Sequence, residues 1–211
     1  VKLHSKHRLN KQDDKKKAEL SNDLRIRNLL KLGEIDVMPK QQVIDIMDKL
    51  AALKTCFNLT EQNLQADPIC PHCKFNHAVE PDSASANHKL SQIDQLLDTT
   101  IASWTEMLIQ NLKDEHTQES ISLLSEKDKA LLEEFIKSKE LPDKVDENFV
   151  KILKEVLAGL IKVTINLDEI RRMISKAGGS ITPAELKRVL DQYIDSLTQG
   201  KNPLRVRIVL E

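Results

Sequence analysis

Aromatic residues make up only 3% of this 211-residue sequence, and there are just five glycines. With little material for aromatic strands and glycine turns, and abundant Leu, Ile, Lys, Glu and Asp, the composition favours helices over sheets. Cysteines number three. That is too few for a secreted disulfide scaffold, and in a reducing cytosol a Cys-x-x-Cys is more often metal-binding or redox-active than a structural disulfide. No apolar run approaches a membrane span and no charged-then-apolar signal peptide opens the sequence, so a cytoplasmic protein with no membrane partner is expected. Catalytic signatures are missing too. There is no Gly-x-x-x-x-Gly-Lys phosphate loop, no Gly-x-Gly-x-x-Gly, no His-Glu-x-x-His and no nucleophile elbow, so the expectation is that this chain is not an enzyme.

What is present begins with a 40% share of apolar residues, enough for a real core in one or two small domains. The net charge of −1 hides an asymmetry. Residues 1–31 carry ten Lys/Arg against four Asp/Glu, whereas residues 91–150 carry six against fourteen. The basic head and the acidic middle suit contact with each other or with different partners. The sequence starts at Val1 rather than methionine and ends on Arg205-Val206-Arg207-Ile208-Val209-Leu210, which reads as structure. Both ends suggest a piece of something longer.

Along the chain, residues 1–20 have sparse apolar positions, and a helix there needs a partner to cover Leu3, Leu9 and Leu20. Leu24 to Leu32 form a short apolar segment with Gly33 placed as a left-handed C′ residue. Pro39 suits the start of a helix in which Val43, Ile46, Met47, Leu50 and Leu53 recur at three and four residues, leading to Cys56. Thr60 is placed to cap a short helix that Pro68 closes. Residues 78–88 form a polar linker, and the expected division is a helical zinc-binding region over 1–82 and a helical bundle over 83–211.

In the second part, Leu90, Ile93, Leu97, Ile101, Trp104, Leu108 and Leu112 follow an eleven-residue repeat close to the period of an undistorted helix. This argues a straight amphipathic helix in a bundle rather than a left-handed coiled coil. Ser125 caps a helix ended before Pro142, and another uses Phe149 to Leu160. Lys162-Val163-Thr164-Ile165 is β-prone, Asn166 with Glu169 reads as a helix start, and Gly178-Gly179 breaks that helix. Thr182-Pro183-Ala184-Glu185 opens the next helix with a capping-box pattern, and Leu204–Leu210 is again β-prone. The expected fold is mainly α, a helical bundle with a zinc-stapled N-terminal part and a two-stranded β element near the C-terminus.

The chemistry-bearing stretch is Cys56 to His77, which holds all three cysteines and the Cys70-Pro71-His72-Cys73 turn. Two thiolates two residues apart hold one face of a tetrahedral zinc, and Cys56 supplies a third. The alternative is three free thiols. A closed site needs a fourth ligand: His77 is nearest in sequence, His4 and His7 qualify if the head folds back, and His72 inside the turn is less suited. A thiol oxidoreductase is a further reading, but its dithiol normally opens a helix after a strand, and no such pattern surrounds this one. The basic head, with Lys15-Lys16-Lys17, Arg25 and Arg27, suits DNA backbone contact or simple solvation. With so few aromatics, any nucleic-acid contact is expected to be electrostatic and salt-dependent.

Leu3-His4-x-Lys6-x-Arg8-Leu9, Leu53-Lys54-x-Cys56-x-x-Leu59-Thr60, Pro68-Ile69-Cys70-Pro71-x-Cys73-x-Phe75 and Gly200-Lys201-Asn202-Pro203-x-x-Val206-Arg207-Ile208 together resemble the C-terminal part of very large bacterial P-loop ATPases associated with phage-defence systems of the BREX type. The resemblance implies an ATPase motor upstream of this chain. Family members tend to read Cys-Pro-x-Cys-Gly-Phe then Arg-Pro, where this chain has Lys74 and Asn76-His77. That weakens His77 and raises His4, so the expected metal ligands are Cys56, Cys70, Cys73 and His4. The expected role is a non-catalytic zinc-stapled module for assembly or partner docking, with other domains of the ATPase, defence proteins or a second copy of the chain as partners. A DNA-contacting module of the same machine is the alternative.

Overall fold

The structure is a computed structural model; it describes residues 1–76, 78–79, 84–176, 181–201 and 203–210. His77, Gly178-Gly179 and Asn202, singled out above, lie outside the described residues. The chain is mainly helical with one two-stranded sheet near the C-terminus, and it divides into two compact units, each assembled from two stretches of sequence. No helix among the described residues is long and apolar enough to cross a membrane.

The first unit comprises Val1–Leu30 and Val43–Ser103. It contains α1 (Lys2–His7), α2 (Lys11–Ser21), most of α3 (Leu24–Leu32) and of α4 (Lys40–Ala51), α5 (Glu61–Ala66) and the first part of α6 (Ala86–Lys113). The head, which has little apolar content of its own, folds because Leu9 and Leu20 find cover; Leu3 stays partly exposed. A capping box also starts α2, with the Asp13 amide donating to Asn10 Oδ1 at 2.8 Å and the Asn10 amide donating back to the Asp13 carboxylate. Leu29, Val43, Ile46, Leu90 and Leu97 are essentially inaccessible and form the core. Each such side chain contributes about 1.5–3 kcal/mol relative to an exposed one. Arg25 of α3 fastens α6 from the rim, with Nη2 2.7 Å from both Asp23 Oδ2 and Asp94 Oδ1 and Nη1 2.5 Å from Asp98 Oδ1.

The second unit comprises Lys31–Gln42 and Trp104–Glu211. Beyond the end of α6 it holds α7 (Glu115–Ser122), α8 (Glu126–Ser138), α9 (Glu147–Val156), β1 (Ile161–Ile165), α10 (Leu167–Lys176), α11 (Pro183–Thr198), a 3-10 turn (Pro203–Arg205) and β2 (Val206–Leu210). Trp104, Leu108 and Leu112 are fully buried, and the Trp104 Nε1–H donates to Gln42 Oε1 at 2.9 Å. Phe135 of α8 meets Phe149 of α9 edge to face at 5.4 Å, a favoured aromatic geometry. The strands pair in parallel, Ile161 opposite Val206 through Ile165 opposite Leu210, with α10 and α11 as the crossover. Parallel strands require such a connection. Arg207 of β2 reaches the end of α6, where Nε donates to Asn111 Oδ1 at 2.8 Å and Nη2 pairs with Asp114 at 2.9 Å.

Several local expectations are met. Thr60, Ser125 and Thr182 are N-caps, and the Thr182–Glu185 capping box is closed with Pro183 following the cap. Others are not. Gly33 does not take the left-handed conformation; among the described residues Gly200, Lys74 and Lys139 do. After α3 the chain makes tight turns instead, with the Glu34 and Ile35 amides donating to the Lys31 and Leu32 carbonyls. Asn166 does cap α10 as expected, accepting from the Asp168 amide, and Glu169 at the third helical position accepts a hydrogen bond from the Tyr193 hydroxyl of α11. The polar linker is also shorter than expected, since α6 begins at Ala86.

Candidate metal centre

Three separate stretches of the first unit meet at one point. His4 sits in α1, Cys56 follows α4, and Cys70 and Cys73 flank a turn. The head is held against the Cys56 stretch by backbone pairing: Leu9 and Thr55 form a parallel bridge in which the Leu9 amide donates to the Lys54 carbonyl at 3.0 Å. Lys17 Nζ donates to the Leu53 carbonyl at 2.8 Å and the Thr55 hydroxyl to Asp14 at 2.7 Å, locking α2 to the same segment. This pairing is what brings His4 within reach of a cysteine far along the chain.

The Cys70–Cys73 turn is closed by its own backbone. Ile69 and Asn76 form an antiparallel bridge, the Cys70 amide donates to the Phe75 carbonyl at 2.9 Å, and the Lys74 amide donates to the Cys70 carbonyl at 2.9 Å. Lys74 takes a φ of 58° to allow the reversal. At this left-handed position glycine is the residue with no steric penalty.

The ligand atoms of His4, Cys56, Cys70 and Cys73 all lie within 4.8 Å of one another. Cys56 Sγ is 3.9 Å from Cys70 Sγ, and Cys73 Sγ is 3.5 Å from His4 Nε2. Zn–S bonds near 2.3 Å and Zn–N bonds of 2.0–2.1 Å put tetrahedral S···S at about 3.8 Å and S···N at about 3.6 Å. The cluster therefore fits a tetrahedral metal ion with a soft three-sulfur, one-nitrogen donor set. No disulfide links the three thiols.

Electrostatics around the cluster favour the thiolate at Cys73 and oppose it at Cys56. Burial pushes the Cys73 thiol up, but hydrogen bonds from the Arg8 guanidinium, the Phe75 amide and the other two thiols outweigh it and leave Cys73 below its ordinary value. Burial holds the Cys56 thiol above its own. Burial and the nearby Arg8 cation lower the His4 imidazole, favouring the neutral form that binds metal. Behind the ligands Phe75 is only 2% exposed, with the His4 ring at 5.6 Å, the His7 ring at 6.0 Å and the Arg8 guanidinium 4.8 Å over its face.

Of the histidines weighed from sequence, the described residues bring His4 into the cluster. His7 is buried against Phe75 and His72 is exposed on the turn; His77 lies outside the described residues. Arg8 and Phe75 were not singled out for roles, although both stand in the motifs quoted above. Their signal was position, Arg8 four residues after His4 and Phe75 two residues after Cys73, rather than residue type.

Residues 12–103 match the model described as "Family of unknown function (DUF6079) 6th domain". The match covers the three cysteines and starts after His4. No curated protein and no solved structure matches the chain.

Proposed function

We propose that the chain is a non-catalytic helical module stapled by a structural zinc ion held by His4, Cys56, Cys70 and Cys73, and that it serves assembly or partner docking in a larger protein. The observation that carries this is the spacing of the four ligand atoms, all within 4.8 Å and drawn from three segments distant in sequence. A complete four-ligand shell leaves no open position for a substrate, which separates structural from catalytic zinc. The dithiol turn is followed by a backbone bridge and not by a helix, which speaks against a thiol oxidoreductase.

The match to a sixth domain agrees with a place inside a multidomain protein. That the protein is a P-loop ATPase of a BREX-type phage-defence system rests on the motifs alone and is part of the proposal, as are its cytoplasmic location and its partners: other domains of that ATPase, defence proteins or a second copy of the chain. Reduced thiolate ligands suit such a compartment.

Metal analysis of the purified chain tests the central claim. One zinc per chain is expected, and a chelator should expose residues 1–8 and 54–76 to protease. A metal-free chain whose proteolysis and circular dichroism ignore chelator would sink it.

A further inference from the structure

Of the four donors in the cluster, three are thiols that can be oxidised to a bond with one another, and the fourth, the His4 imidazole, cannot. Cys56 Sγ lies 3.9 Å from Cys70 Sγ, while Cys73 Sγ stands against His4 Nε2 at 3.5 Å. The first pair sets a half-buried thiol beside one with no accessible surface. A disulfide bond is about 2.05 Å long, so each sulfur of that pair has about 1 Å to travel, a shift that side-chain rotation supplies. Once bonded, the pair would keep the Cys56 segment on the Cys70–Cys73 turn. The turn itself would stay closed, since its hydrogen bonds from the Cys70 and Lys74 amides do not involve the sulfurs.

His4 has no such substitute. A metal ion that loses two of four ligands loses the shell that holds it, and an imidazole forms no bond to a disulfide. The link from α1 to the turn would go with the ion. The links of α2 would remain, because they run through other groups: the Leu9 amide to the Lys54 carbonyl, Lys17 to the Leu53 carbonyl and the Thr55 hydroxyl to Asp14. One chemical change at the sulfurs therefore separates the two attachments of the head.

We infer that the centre is a peroxide-responsive switch, in which Cys56 and Cys70 form a disulfide, the ion leaves and α1 is released. The inference rests on the structural-metal reading, because a filled centre is what ties α1 to the sulfurs. The Cys56 thiolate attacks one oxygen of hydrogen peroxide; the O–O bond breaks, hydroxide leaves and Cys56 becomes a sulfenic acid. The Cys70 thiolate then attacks the Cys56 sulfur, forming the S–S bond and expelling the sulfenic oxygen as a second hydroxide. The two sulfurs lose two electrons, the peroxide gains them, and Cys73 stays reduced. Cys56 takes the first step because solvent reaches it; Cys70, at 0% exposure, reacts with the sulfur beside it. In a reducing compartment thiol reductants reverse such a bond, so it is a transient state rather than a second staple.

The test treats the zinc-loaded chain with hydrogen peroxide and follows zinc with a chromogenic chelator, free thiols in denaturant, and tryptic cleavage. Release of the zinc should match the fall from three thiols to one. Cleavage after Lys6 should appear while α2 stays protected, and dithiothreitol with added zinc should restore both. Trypsin with a glutamate-specific protease cuts after Lys54, Glu61 and Lys74, parting Cys56 from the other two cysteines, and fragmentation of the linked peptides identifies the partner. The Cys73→Ser variant should form the same Cys56–Cys70 bond. A bond from Cys73 to either other cysteine in the unaltered chain, sulfinic acid in place of a disulfide, retention of zinc, or release of zinc with α1 still protected each overturns the switch and leaves the metal centre standing. A purified chain without zinc overturns the centre and the switch with it.

Discussion

Cys73 Sγ lies 3.5 Å from His4 Nε2, joining the first helix of the chain to a turn that follows the fifth. On the proposed metal centre, α1 is expected to depend on the ion for its place. His4→Ala is expected to weaken zinc binding by more than the roughly 10–100-fold typical of changes outside the ligand shell, and to release α1 to proteolysis. His77→Ala should leave zinc content unchanged. Metal content of the two variants checks this, and loss only in His77→Ala would reassign the fourth ligand.

Left-handed lysines are the second point of leverage. Lys74 and Lys139 both have φ near 58°, a conformation that costs a non-glycine residue about 1–2 kcal/mol. Glycine removes that cost but loses about 0.5–1 kcal/mol of chain entropy. Lys139→Gly, at the C-cap of α8, should therefore stabilise the protein by up to about 1 kcal/mol. Lys74→Gly should do the same with metal bound. Denaturant midpoints of each variant decide it; a fall in midpoint would mean the lysine side chains contribute more than their backbone costs.

Trp104 gives a built-in reporter. It is fully buried and its indole N–H is satisfied by Gln42. Trp104→Phe should cost about 1–3 kcal/mol through the lost hydrogen bond and the space left behind. In the unaltered protein its emission should be blue-shifted and move to the red in a single transition as the second unit unfolds.

A pH dependence follows from the Arg25 cluster. Hydrogen bonding to Arg25 holds the Asp23 carboxyl below its ordinary value, against the opposing effect of burial. A carboxyl depressed in the folded state stabilises the protein above its unfolded pKa of about 3.9, and that contribution disappears as pH falls through the folded value. Arg25→Gln should lower stability near neutrality by about 1 kcal/mol, a modest figure because the group is partly exposed. The difference between the two proteins should shrink below about pH 4. Melting both from neutral to acid pH shows whether the gap closes, and a constant gap would dissociate Asp23 from it.

Much of this molecule was legible from spacing. The run from Leu90 to Leu112 announced α6 because an amphipathic helix must repeat its apolar positions, and Thr60, Ser125 and Thr182 announced helix starts because orphan amides need an acceptor. Two β-prone runs around two helices announced the sheet, but not its parallel direction, which depends on how the crossover returns. The head was illegible for a different reason. Its order comes from the Leu9–Thr55 bridge and its capping box, neither of which leaves an apolar period. Gly33 misled because a tight turn can end a helix without left-handed backbone, while Lys74 and Lys139 took that conformation with no glycine to signal it.

The parallel pairing of β1 with β2 also sets an order of events. Ile161 cannot find Val206 until α10 and α11 have been made and have turned the chain around. During synthesis β1 therefore waits with Val163 and Ile165, both buried in the finished fold, uncovered. Helices elsewhere form from local contacts within microseconds, whereas this non-local closure is slow. The sheet is therefore expected to be the last part of the second unit to mature, which pulse-labelled hydrogen exchange of its backbone amides during refolding would show.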